Sequence, residues 1–423
     1  MTNSTTNRDN SMTLSEELQW RGFVHQTTFK DISDLDKQKR TFYHGFDASA
    51  DSQTIGNLAA MILDGIFIKH GWRALILAGG ATSLIGDPGG KLSERDAQAE
   101  ERIASNVKNA QLELERIHRG KDFKMVNNID WTKDLGVLDF LRDIGKNFGI
   151  GDLIKKDFIA SRIGEGSSGI SYAEFSYTLL QGMDYLHLFD TENATLQIGG
   201  SDQWGNCISG VDLIRRVRRQ EVHAFAHILV VNKSTGRKFG KSEEGAVWLD
   251  AKKTSVFKFF QFWLNLDDEG IGDYIKIYTE IEPAEFDALM SEFEANRGSR
   301  KAQKYLAYET TKLVHGEEKA KNAQKVTETL FGSIGVGQLS SDELAMLAEE
   351  IPTSKAGDLS EILVATKTAS SSSEARRLVN AGAISVNGEK ISESIIVQSP
   401  ALIKKGKNSF VLINETANEI NNR

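Results

Sequence analysis

The chain has 423 residues, of which 40% are hydrophobic and 26% are charged, and its formal net charge is −8. This composition is typical of a soluble globular protein, and the length predicts about two to four domains. The single cysteine, Cys207, excludes an internal disulfide framework and a cysteine-rich zinc cluster. The polar N-terminus has no apolar signal core and no stretch approaches ~20 apolar residues, so we expect a cytosolic protein without a membrane span.

Charge is unevenly distributed along the chain. Residues 353–423 contain nine basic and seven acidic side chains, a balance of +2, whereas the remainder has a balance of −10. A net negative charge argues weakly against nucleic acid as a partner, but local basic patches decide contact with RNA. The C-terminal part is therefore the more basic part, and RNA binding stays open.

The first half of the chain alternates strand and helix patterns after a polar leader, residues 1–13, that we predict to be disordered. Apolar residues at helical spacing predict a helix over residues 55–69, and a short amphipathic helix is predicted over 14–22. Apolar and β-branched runs predict strands at 41–46, 74–78, 123–126, 196–198 and 228–231. Alternation of this kind predicts an α/β fold with a parallel sheet wrapped by helices.

The second half has a different character. Residues 283–331 are rich in Ala, Glu and Lys with helical periodicity, which predicts a helical domain. The Gly- and Ser-containing residues 332–357 resemble a linker, and a small terminal domain follows. Within that domain Ser371 and Glu374 form a capping box, Gly382 suits the end of the helix, and Asn387-Gly388 predicts a tight hairpin.

Five segments combine small residues with polar side chains that could bind a ligand. The first, residues 42–57, is a strand followed by a turn and a helix. A helix N-terminus presents free N–H groups and a positive dipole to a phosphate, and Gly56 would let a nucleotide approach the backbone. An ordinary strand–turn–helix corner explains the same pattern.

The second segment, residues 79–95, begins with two glycines directly after a strand, where ligands gather in open α/β sheets. Asp87 could hold a cation such as an α-ammonium group, although Asp-Pro-Gly-Gly is also a common turn. The third segment, residues 174–186, places Tyr177, Gln181 and Asp184 on one helical face. If they are buried they need polar partners, which a ligand could supply; a solvated face is the alternative.

The fourth segment, residues 197–206, ends a strand with Gly-Gly and continues with Ser, Asp and Gln. Asp202 is suited to accept hydrogen bonds from ribose hydroxyls, and the alternative is a structural loop. The fifth segment, residues 238–242, places Lys238 and Lys241 three residues apart, where they could bind polyphosphate. A charged surface loop is the common alternative for such a segment.

The order of these segments resembles class I aminoacyl-tRNA synthetases, which have a phosphate-binding corner after the first strand and a lysine loop after the last. The segments LQWRGFVHQTT, GFDASADS, GGATSLIGDP, EFSYTLLQGMDYL, LQIGGSDQWGN and KFGKS together resemble the bacterial tyrosine enzymes of that class. The resemblance covers about the whole chain after the leader. It implies a Rossmann-like catalytic domain with an inserted connective segment (14–236), a lysine loop (237–247), a helical domain (248–332), a linker (333–357) and an S4-type RNA-binding domain (358–423).

The resemblance also implies a role for individual residues. A tyrosine substrate would be bound through its hydroxyl, its α-ammonium group and its carboxylate, and ATP through its ribose and phosphates. The matching residues are Tyr43 and Asp184 for the hydroxyl; Asp87, Tyr177 and Gln181 for the ammonium; Gln203 near the carboxylate; Gly200 and Asp202 for the ribose; and Ser49, Thr54, Gly56, Asn57, Lys238, Lys241 and Ser242 for the remainder of ATP, with Thr54, Asn57, Lys238 and Lys241 as the catalytic set.

One departure from the family pattern concerns the first signature. It usually reads His-Ile-Gly-His, and here it reads Thr54-Ile55-Gly56-Asn57. Threonine and asparagine can still donate hydrogen bonds to phosphate, but they lack the positive charge that imidazole can carry. His44 and Ala48 also differ from common family residues, and Ser49 keeps a hydroxyl where the family often has threonine.

The implied reaction is attack of the tyrosine carboxylate on the α-phosphate of ATP, followed by transfer of tyrosine to tRNA(Tyr). Magnesium would accompany ATP, no metal site of the protein is predicted, and the family implies a homodimer. Candidate tRNA contacts are Arg215 and Arg216, in a cluster with Arg218 and Arg219, and Arg376 and Arg377 in the terminal domain; a solvated helix face is the alternative for the first cluster. A tryptophan–tRNA ligase and a non-catalytic RNA-binding relative are the rival functions.

Overall fold

A computed structural model describes residues 12–86, 100–163, 169–237, 239, 241–242 and 245–415. The strands are numbered in chain order, and the first six form the main sheet. They are β1 Val24–Thr27, β2 Thr41–Phe46, β3 Arg73–Ala78, β4 Phe123–Asn127, β5 Ala194–Gly200, β6 His223–His227, β7 Lys241–Ser242, β8 Gly245–Ala246, β9 Thr353–Ser354, β10 Gly357–Asp358, β11 Ile384–Val386, β12 Glu389–Ile391, β13 Ile396–Val397, β14 Ala401–Lys405 and β15 Ser409–Ile413.

The helices connect and cover these strands. They are α1 Leu14–Arg21, α2 Asp34–Lys37, α3 Ile55–Lys69, α4 Thr82–Ile85, α5 Glu100–Ile117, α6 Ile129–Thr132, α7 Val137–Asp139, α8 Ile150–Leu153, α9 Asp157–Ala160, α10 Tyr172–Glu192, α11 Trp204–Arg218, α12 Val256–Leu264, α13 Ile271–Tyr278, α14 Pro283–Ala295, α15 Lys301–His315, α16 Glu317–Phe331, α17 Ser341–Glu350, α18 Leu359–Ala365 and α19 Ser372–Asn380. Within the described ranges, no helix combines the length and apolar character of a membrane span.

The main sheet has the strand order β1-β6-β5-β2-β3-β4. Strands β2 to β6 are parallel, and β1 pairs with β6 in the antiparallel direction at one edge. The chain runs from β2 outwards to β3 and β4, then returns to add β5 and β6 on the other side of β2. This confirms the predicted α/β fold, and it places a topological switch point between β2 and β5, where ligands bind in such sheets.

Four predicted strands are confirmed, but the last was placed wrongly. The prediction was 228–231, an Ile-Leu-Val-Val run, whereas β6 is the preceding segment, residues 223–227. β6 pairs with β5 until His227 lies opposite Gly200, where β5 ends and a 3₁₀ turn begins. The apolar residues that follow leave β5 and satisfy their backbone elsewhere: the Ile228 N–H donates to the Phe23 carbonyl oxygen, and the Val230 carbonyl oxygen accepts from the Phe239 N–H, both at 3.0 Å.

The sheet is buried on both faces. Successive side chains of β2 point to opposite faces, so Phe42 packs on Phe67 of α3, with ring centroids 5.2 Å apart. Tyr43 packs on Tyr185 of α10 at 5.1 Å. Helix α3 therefore covers one face, whereas α10 and α11 cover the other, which explains why β2 carries apolar residues at consecutive positions rather than at alternate ones.

Two compact units are present. The first contains the described residues up to Thr254 together with Leu266–Leu306, and the second contains Ser255–Asn265 and the chain from Ala307 onwards. In the second unit, helices α18 and α19 pack on the five-stranded sheet β12-β11-β14-β15-β9. The predicted hairpin is confirmed, since Asn387 and Gly388 have φ angles of +52° and +89° between β11 and β12.

Residues 333–357, for which a linker was predicted, contain a 3₁₀ turn, helix α17 and strand β9. Helix α17 begins with a capping box in which Glu343 N donates to Ser340 Oγ at 3.3 Å and Ser340 N donates to Glu343 Oε2 at 2.7 Å. Leu347 is buried in one cluster with Val326 and Leu330 of α16. Local capping and an apolar stripe therefore order a segment whose composition alone suggested a loop.

Candidate active site

A cavity of about 570 Å³ opens at the carboxyl ends of β2, β3 and β5, at the switch point of the sheet. Predicted residues from three separate segments of the sequence surround it. Those that line the cavity are Tyr43, Ser49, Thr54, Gly56, Asn57, Tyr177, Gln181, Asp184, Gly200, Asp202 and Gln203.

The remaining predicted residues fall into three groups. Asp87 and Lys238 are outside the described residues. Lys241 and Ser242 form β7, which pairs with β8 in the antiparallel direction. The predicted tRNA contacts lie away from the cavity lining, at the C-terminal end of α11 for Arg215 and Arg216 and on α19 of the second unit for Arg376 and Arg377.

The inner end of the cavity holds two buried polar atoms without partners. The Tyr43 side chain is 1% exposed, and its hydroxyl has no hydrogen-bond partner among the described residues. Gln197 Oε1, from the neighbouring strand β5, is in the same situation. Burial raises the pKa of the Tyr43 phenol well above its usual value, so it is a neutral donor at pH 7. Unpartnered buried polar groups are rare, and here they face a space that a polar ligand can fill.

Asp184 lies on α10 and also faces the cavity. Asn128 Nδ2 donates to its Oδ2 at 3.0 Å, and Trp131 Nε1 donates to its Oδ1 at 2.8 Å. Burial raises the pKa of Asp184 to about 7, although these two hydrogen bonds act in the opposite direction. Sequence reasoning missed Asn128 and Trp131, since neither belongs to a recognisable local motif.

Asp47 is a further polar residue of the cavity that sequence reasoning did not single out. It follows β2, and the Tyr177 hydroxyl donates to Asp47 Oδ1 at 3.2 Å. Gln203 is held from its other side, because Asn206 Nδ2 donates to Gln203 Oε1 at 3.0 Å. Asp47 belongs to the first segment, GFDASADS, so a carboxylate directly after a strand was the sequence feature that could have indicated it.

The start of α3 forms the opposite part of the cavity wall. The Thr54 backbone N–H and hydroxyl both donate to Asn57 Oδ1, at 3.1 and 2.9 Å. This arrangement leaves the Nδ2 hydrogens of Asn57 as the donors of that side chain. Glu113 of α5 supports the preceding turn, accepting from Ser52 Oγ at 2.6 Å and from the Gln53 N–H at 2.9 Å.

The lysine-loop segment lies directly against the start of α3. A Cβ atom added at Gly56 would be 3.4 Å from the carbonyl oxygen of Phe239, which follows Lys238. The Ile55 N–H donates to the Val247 carbonyl oxygen at 3.1 Å, which joins the far side of the loop to the same helix start. The two segments that resemble family signatures therefore meet, although they are separated by about 180 residues in sequence.

Gly200 is the last residue of β5, where a side chain would be crowded by Asp202 and Leu229. A Cβ atom at this position would lie 2.6 Å from Asp202 Oδ1 and 3.1 Å from Leu229 Cδ2. The first distance is shorter than real Cβ atoms show and the second is tight, so the glycine allows the Asp202 carboxylate to lie against the strand end. This is the position where sequence analysis predicted contact with a ribose.

Three titratable side chains form a second group that sequence analysis did not assign to the site. His44 Nδ1 lies 2.8 Å from Asp64 Oδ1, and the rings of His44 and His227 are 5.6 Å apart. All three residues line the same cavity and are largely buried. Burial lowers the pKa of His227 to about 4, so its ring is neutral at pH 7.

The basic cluster at the end of α11 is engaged with neighbouring groups. Arg215 pairs with Asp212 at 2.7 Å, Arg218 pairs with Asp190 at 2.6 Å, and Arg216 donates to the Asn147 carbonyl oxygen. All of these arginines remain solvent-exposed, so they can exchange partners. In the second unit Arg376 and Arg377 are exposed on α19.

In the part of the chain that the structure describes, no group of three or more His, Cys, Asp or Glu side chains is arranged to hold a metal ion.

Comparison with known families agrees with this geometry. The family described as tRNA synthetases class I (W and Y) matches residues 35–332. The chain belongs to this class I synthetase family. The domain described as Tyrosine--tRNA ligase SYY-like C-terminal domain matches residues 343–413, which narrows the family to the tyrosine branch.

Individual relatives lead to the same branch. Tyrosine--tRNA ligase 2 from Bacillus cereus is 40% identical over 420 residues, covering 95% of this chain and 99% of the relative. Tyrosine--tRNA ligase from Listeria monocytogenes is 40% identical over 423 residues with the same coverage. A C-terminally truncated mitochondrial tyrosyl-tRNA synthetase from Aspergillus nidulans has a similar structure, with a TM-score of 0.68 and 27% identity over 76% of this chain and 95% of that one.

Proposed function

We propose that this protein is a tyrosine–tRNA ligase that activates L-tyrosine with ATP and then transfers it to the 3′-terminal adenosine of tRNA(Tyr). The observation that carries the proposal is the unpartnered, buried Tyr43 hydroxyl, which faces the same cavity as Asp184 and the start of α3. The phenol of a tyrosine substrate can accept a hydrogen bond from the Tyr43 hydroxyl and donate one to Asp184, so a tyrosine side chain matches this end of the cavity.

The selectivity for tyrosine over phenylalanine follows from burial. Asp184 is 2% exposed and Tyr43 is 1% exposed, so neither group can recover water when a phenylalanine ring occupies the cavity. An unsatisfied buried polar group costs about 1–3 kcal/mol. Asn128 and Trp131 hold the carboxyl in place, so it cannot turn away from the missing hydroxyl.

The same groups favour a tyrosine substrate over tryptophan. An indole N–H only donates, so it offers no acceptor for the hydroxyl hydrogen of Tyr43. A phenol oxygen accepts that hydrogen and keeps its own hydrogen for Asp184. The comparison with relatives supports this choice, since the terminal domain matches the SYY-like type.

The adenylation step needs positioning and charge stabilisation, and it requires no protein nucleophile. The tyrosine carboxylate attacks the α-phosphate and pyrophosphate leaves. The N-terminus of the 15-residue helix α3 favours bound phosphate, Asn57 Nδ2 offers side-chain donors there, and the Thr54 hydroxyl orients Asn57 by donating to its Oδ1. Lys238 and Lys241 would neutralise the charge that builds on the departing pyrophosphate. Magnesium would enter with the ATP phosphates, mostly coordinated by water and phosphate oxygens.

The tRNA would contact both units through basic side chains. The Arg215–Arg219 region would bind acceptor-arm phosphates, and Arg376 and Arg377 would bind the body of the tRNA. Lys390 and Lys404 add to the basic surface of the small domain, because both pair with Ser385 in the register of the sheet. A ligase that supplies translation would work in the cytosol.

A homodimer is the assembly that we propose. Val137 and Leu138 are 73% and 79% exposed, and Leu141, Ile150 and Ile154 nearby are also exposed. Exposed large apolar side chains concentrated in one short stretch of the chain are a feature of protein–protein contact surfaces. Light scattering should give twice the mass of the chain, and Leu138→Asp should reduce it to one chain. Leu112→Asp, an exposed leucine on α5, should leave the dimer intact, and a monomeric wild type would reject the assembly.

Tyrosine-dependent exchange between ATP and pyrophosphate is the experiment that tests the function. We expect exchange with tyrosine and little with phenylalanine or tryptophan. Exchange with tryptophan alone would identify the rival ligase. A protein that binds tRNA but catalyses no exchange with any amino acid would be the non-catalytic relative, and the proposal would then be wrong.

A further inference from the structure

Helix α3 lines the cavity well beyond its first turn. Besides Gly56 in the first turn, the cavity-lining residues on this helix are Asn57, Ala60, Met61 and Asp64, at positions i, i+3, i+4 and i+7. This spacing forms a stripe along one helical face. Alanine at position 60 leaves space beside the stripe. The wall therefore continues for two turns from the phosphate-binding start of the helix to a buried carboxylate, Asp64.

His44 lies opposite Asp64 on strand β2. Because neighbouring side chains of a strand alternate, His44 faces α3 whereas Tyr43 faces α10. His44 is 8% exposed and Asp64 is 3% exposed, and His44 Nδ1 lies 2.8 Å from Asp64 Oδ1. The carboxylate accepts the Nδ1 hydrogen, which fixes the ring orientation and leaves Nε2 for a second partner.

His227 adds a second imidazole beside the first. Its Nδ1 lies 2.8 Å from the Ile228 carbonyl oxygen, and a carbonyl can only accept, so the hydrogen is on Nδ1 and Nε2 is an acceptor. Its ring is neutral at pH 7. Two further titratable groups lie beside Gly65, the residue that follows Asp64: the Lys121 ammonium and the ring of His118, whose pKa burial also lowers.

We propose that His44, oriented by Asp64, contacts ATP in the α3 part of the cavity and supplies an imidazole that the first signature of this chain lacks. Asp64 is then a positioning residue, and His227 is a neutral acceptor beside the same ligand. The inference rests on the proposed function. Its physical basis is that Thr54 and Asn57 replace both signature histidines, whereas two imidazoles from β2 and β6 line the same cavity.

The alternative is that the His44–Asp64 pair only fastens α3 to the sheet. A fastening role would affect both substrates alike and would lower thermal stability, whereas contact with ATP would affect ATP alone. His70 provides a matched control, because its Nε2 also pairs with a buried carboxylate, Glu17, at 2.8 Å, and neither residue lines the cavity.

The first experiment measures ATP–pyrophosphate exchange with His44→Ala. Loss of a hydrogen bond to a charged ligand predicts that kcat/KM for ATP falls by about tenfold to a hundredfold, with KM for tyrosine within about twofold of wild type. His70→Gln should leave both constants unchanged. Unchanged ATP kinetics in His44→Ala, or equal losses for both substrates, would overturn the inference.

Two further variants separate contact from structure. Asp64→Asn keeps an oxygen that can accept from His44 Nδ1. It should therefore lower kcat/KM for ATP, but by less than His44→Ala does. Adding Asn57→His to His44→Ala returns a histidine to the first signature and should recover part of the lost kcat/KM for ATP. If kcat/KM for ATP is no higher in the double variant than in His44→Ala, His44 does not take the place of a signature histidine.

Binding of a non-hydrolysable ATP analogue, measured by calorimetry, makes this test independent of the reaction. Absence of tyrosine-dependent exchange in the wild type would reject the proposed function. The inference about His44 would still be decided, because weaker analogue binding by His44→Ala than by wild type supports it and equal binding rejects it.

Discussion

Tyr43 and Gln197 occupy paired positions on the neighbouring parallel strands β2 and β5, and each has a buried polar atom that finds no hydrogen-bond partner among the described residues. The pairing places the two side chains on the same face of the sheet, beside the switch point. Two unsatisfied groups at paired positions cost stability in the free protein. A bound tyrosine can offer hydrogen bonds at this place, so the arrangement is better explained by a ligand than by the fold.

Asp184→Ala should abolish most of the preference for tyrosine over phenylalanine. The ratio of kcat/KM for the two amino acids should fall by about tenfold to a hundredfold, because the carboxyl that recognises the hydroxyl is lost. KM for ATP should change little. Asp190→Ala on the same helix, an exposed residue paired with Arg218, should keep the wild-type ratio. An unchanged ratio in Asp184→Ala would remove this residue from the pocket.

The raised pKa of Asp184 predicts a pH dependence of stability. Below about pH 4 the carboxyl is protonated in both the folded and the unfolded state. Between pH 4 and 7 the unfolded state ionises while the folded state remains protonated, so stability falls as pH rises, by at most about 4 kcal/mol. Above pH 7 both states are ionised and the cost stays constant.

Asp184→Asn removes this ionisation, and the difference in melting temperature between the two proteins should therefore change with pH. The melting temperature of the wild type should fall relative to that of Asp184→Asn from pH 4 to pH 7, and the difference between them should be constant above pH 7. Differences between variants are the suitable measure, since a chain with several domains need not unfold in one step. A difference that does not vary with pH would contradict the raised pKa.

Gly200→Ala should weaken ATP binding. The added Cβ would lie 2.6 Å from Asp202 Oδ1 and must displace that carboxylate from the strand end. Overpacking of this kind costs about 1–3 kcal/mol, so KM for ATP should rise by about fivefold to a hundredfold. Gly205→Ala, whose Cβ would make only an ordinary 3.7 Å contact, is the control. Normal ATP kinetics in Gly200→Ala would place the ribose elsewhere.

Arg215→Glu with Arg216→Glu should reduce tRNA charging while leaving ATP–pyrophosphate exchange intact. Each lost phosphate contact should also lower the salt dependence of tRNA binding by about one unit of slope. Arg297→Glu, which reverses the charge of an exposed arginine that is paired with Glu294 and lies outside the proposed dimer surface, is the control. Equal losses of charging and exchange would show a general defect and reject the acceptor-arm role. The same comparison applies to Arg376 and Arg377.

Local patterns were sufficient for most elements. The strand over 41–46, the helix over 55–69 and the hairpin at Asn387-Gly388 were predicted because periodicity and turn residues act within a few positions of the chain. The strand predicted at 228–231 was wrong because strand pairing depends on a neighbour. β5 ends at Gly200, opposite His227, and the apolar run that follows forms backbone hydrogen bonds with Phe23 and Phe239 outside β5.

The sequence by itself determined which segments carry polar residues after strands, because strand ends and helix starts are local features. Only the tertiary structure decided which side chains share the cavity. Asn128 and Trp131 donate hydrogen bonds to Asp184 although they are more than 50 residues away in sequence. Asp64 on α3 pairs with His44 on β2, 20 residues earlier in the chain. Such pairings depend on strand order, register and helix rotation, which long-range packing fixes and no local pattern records.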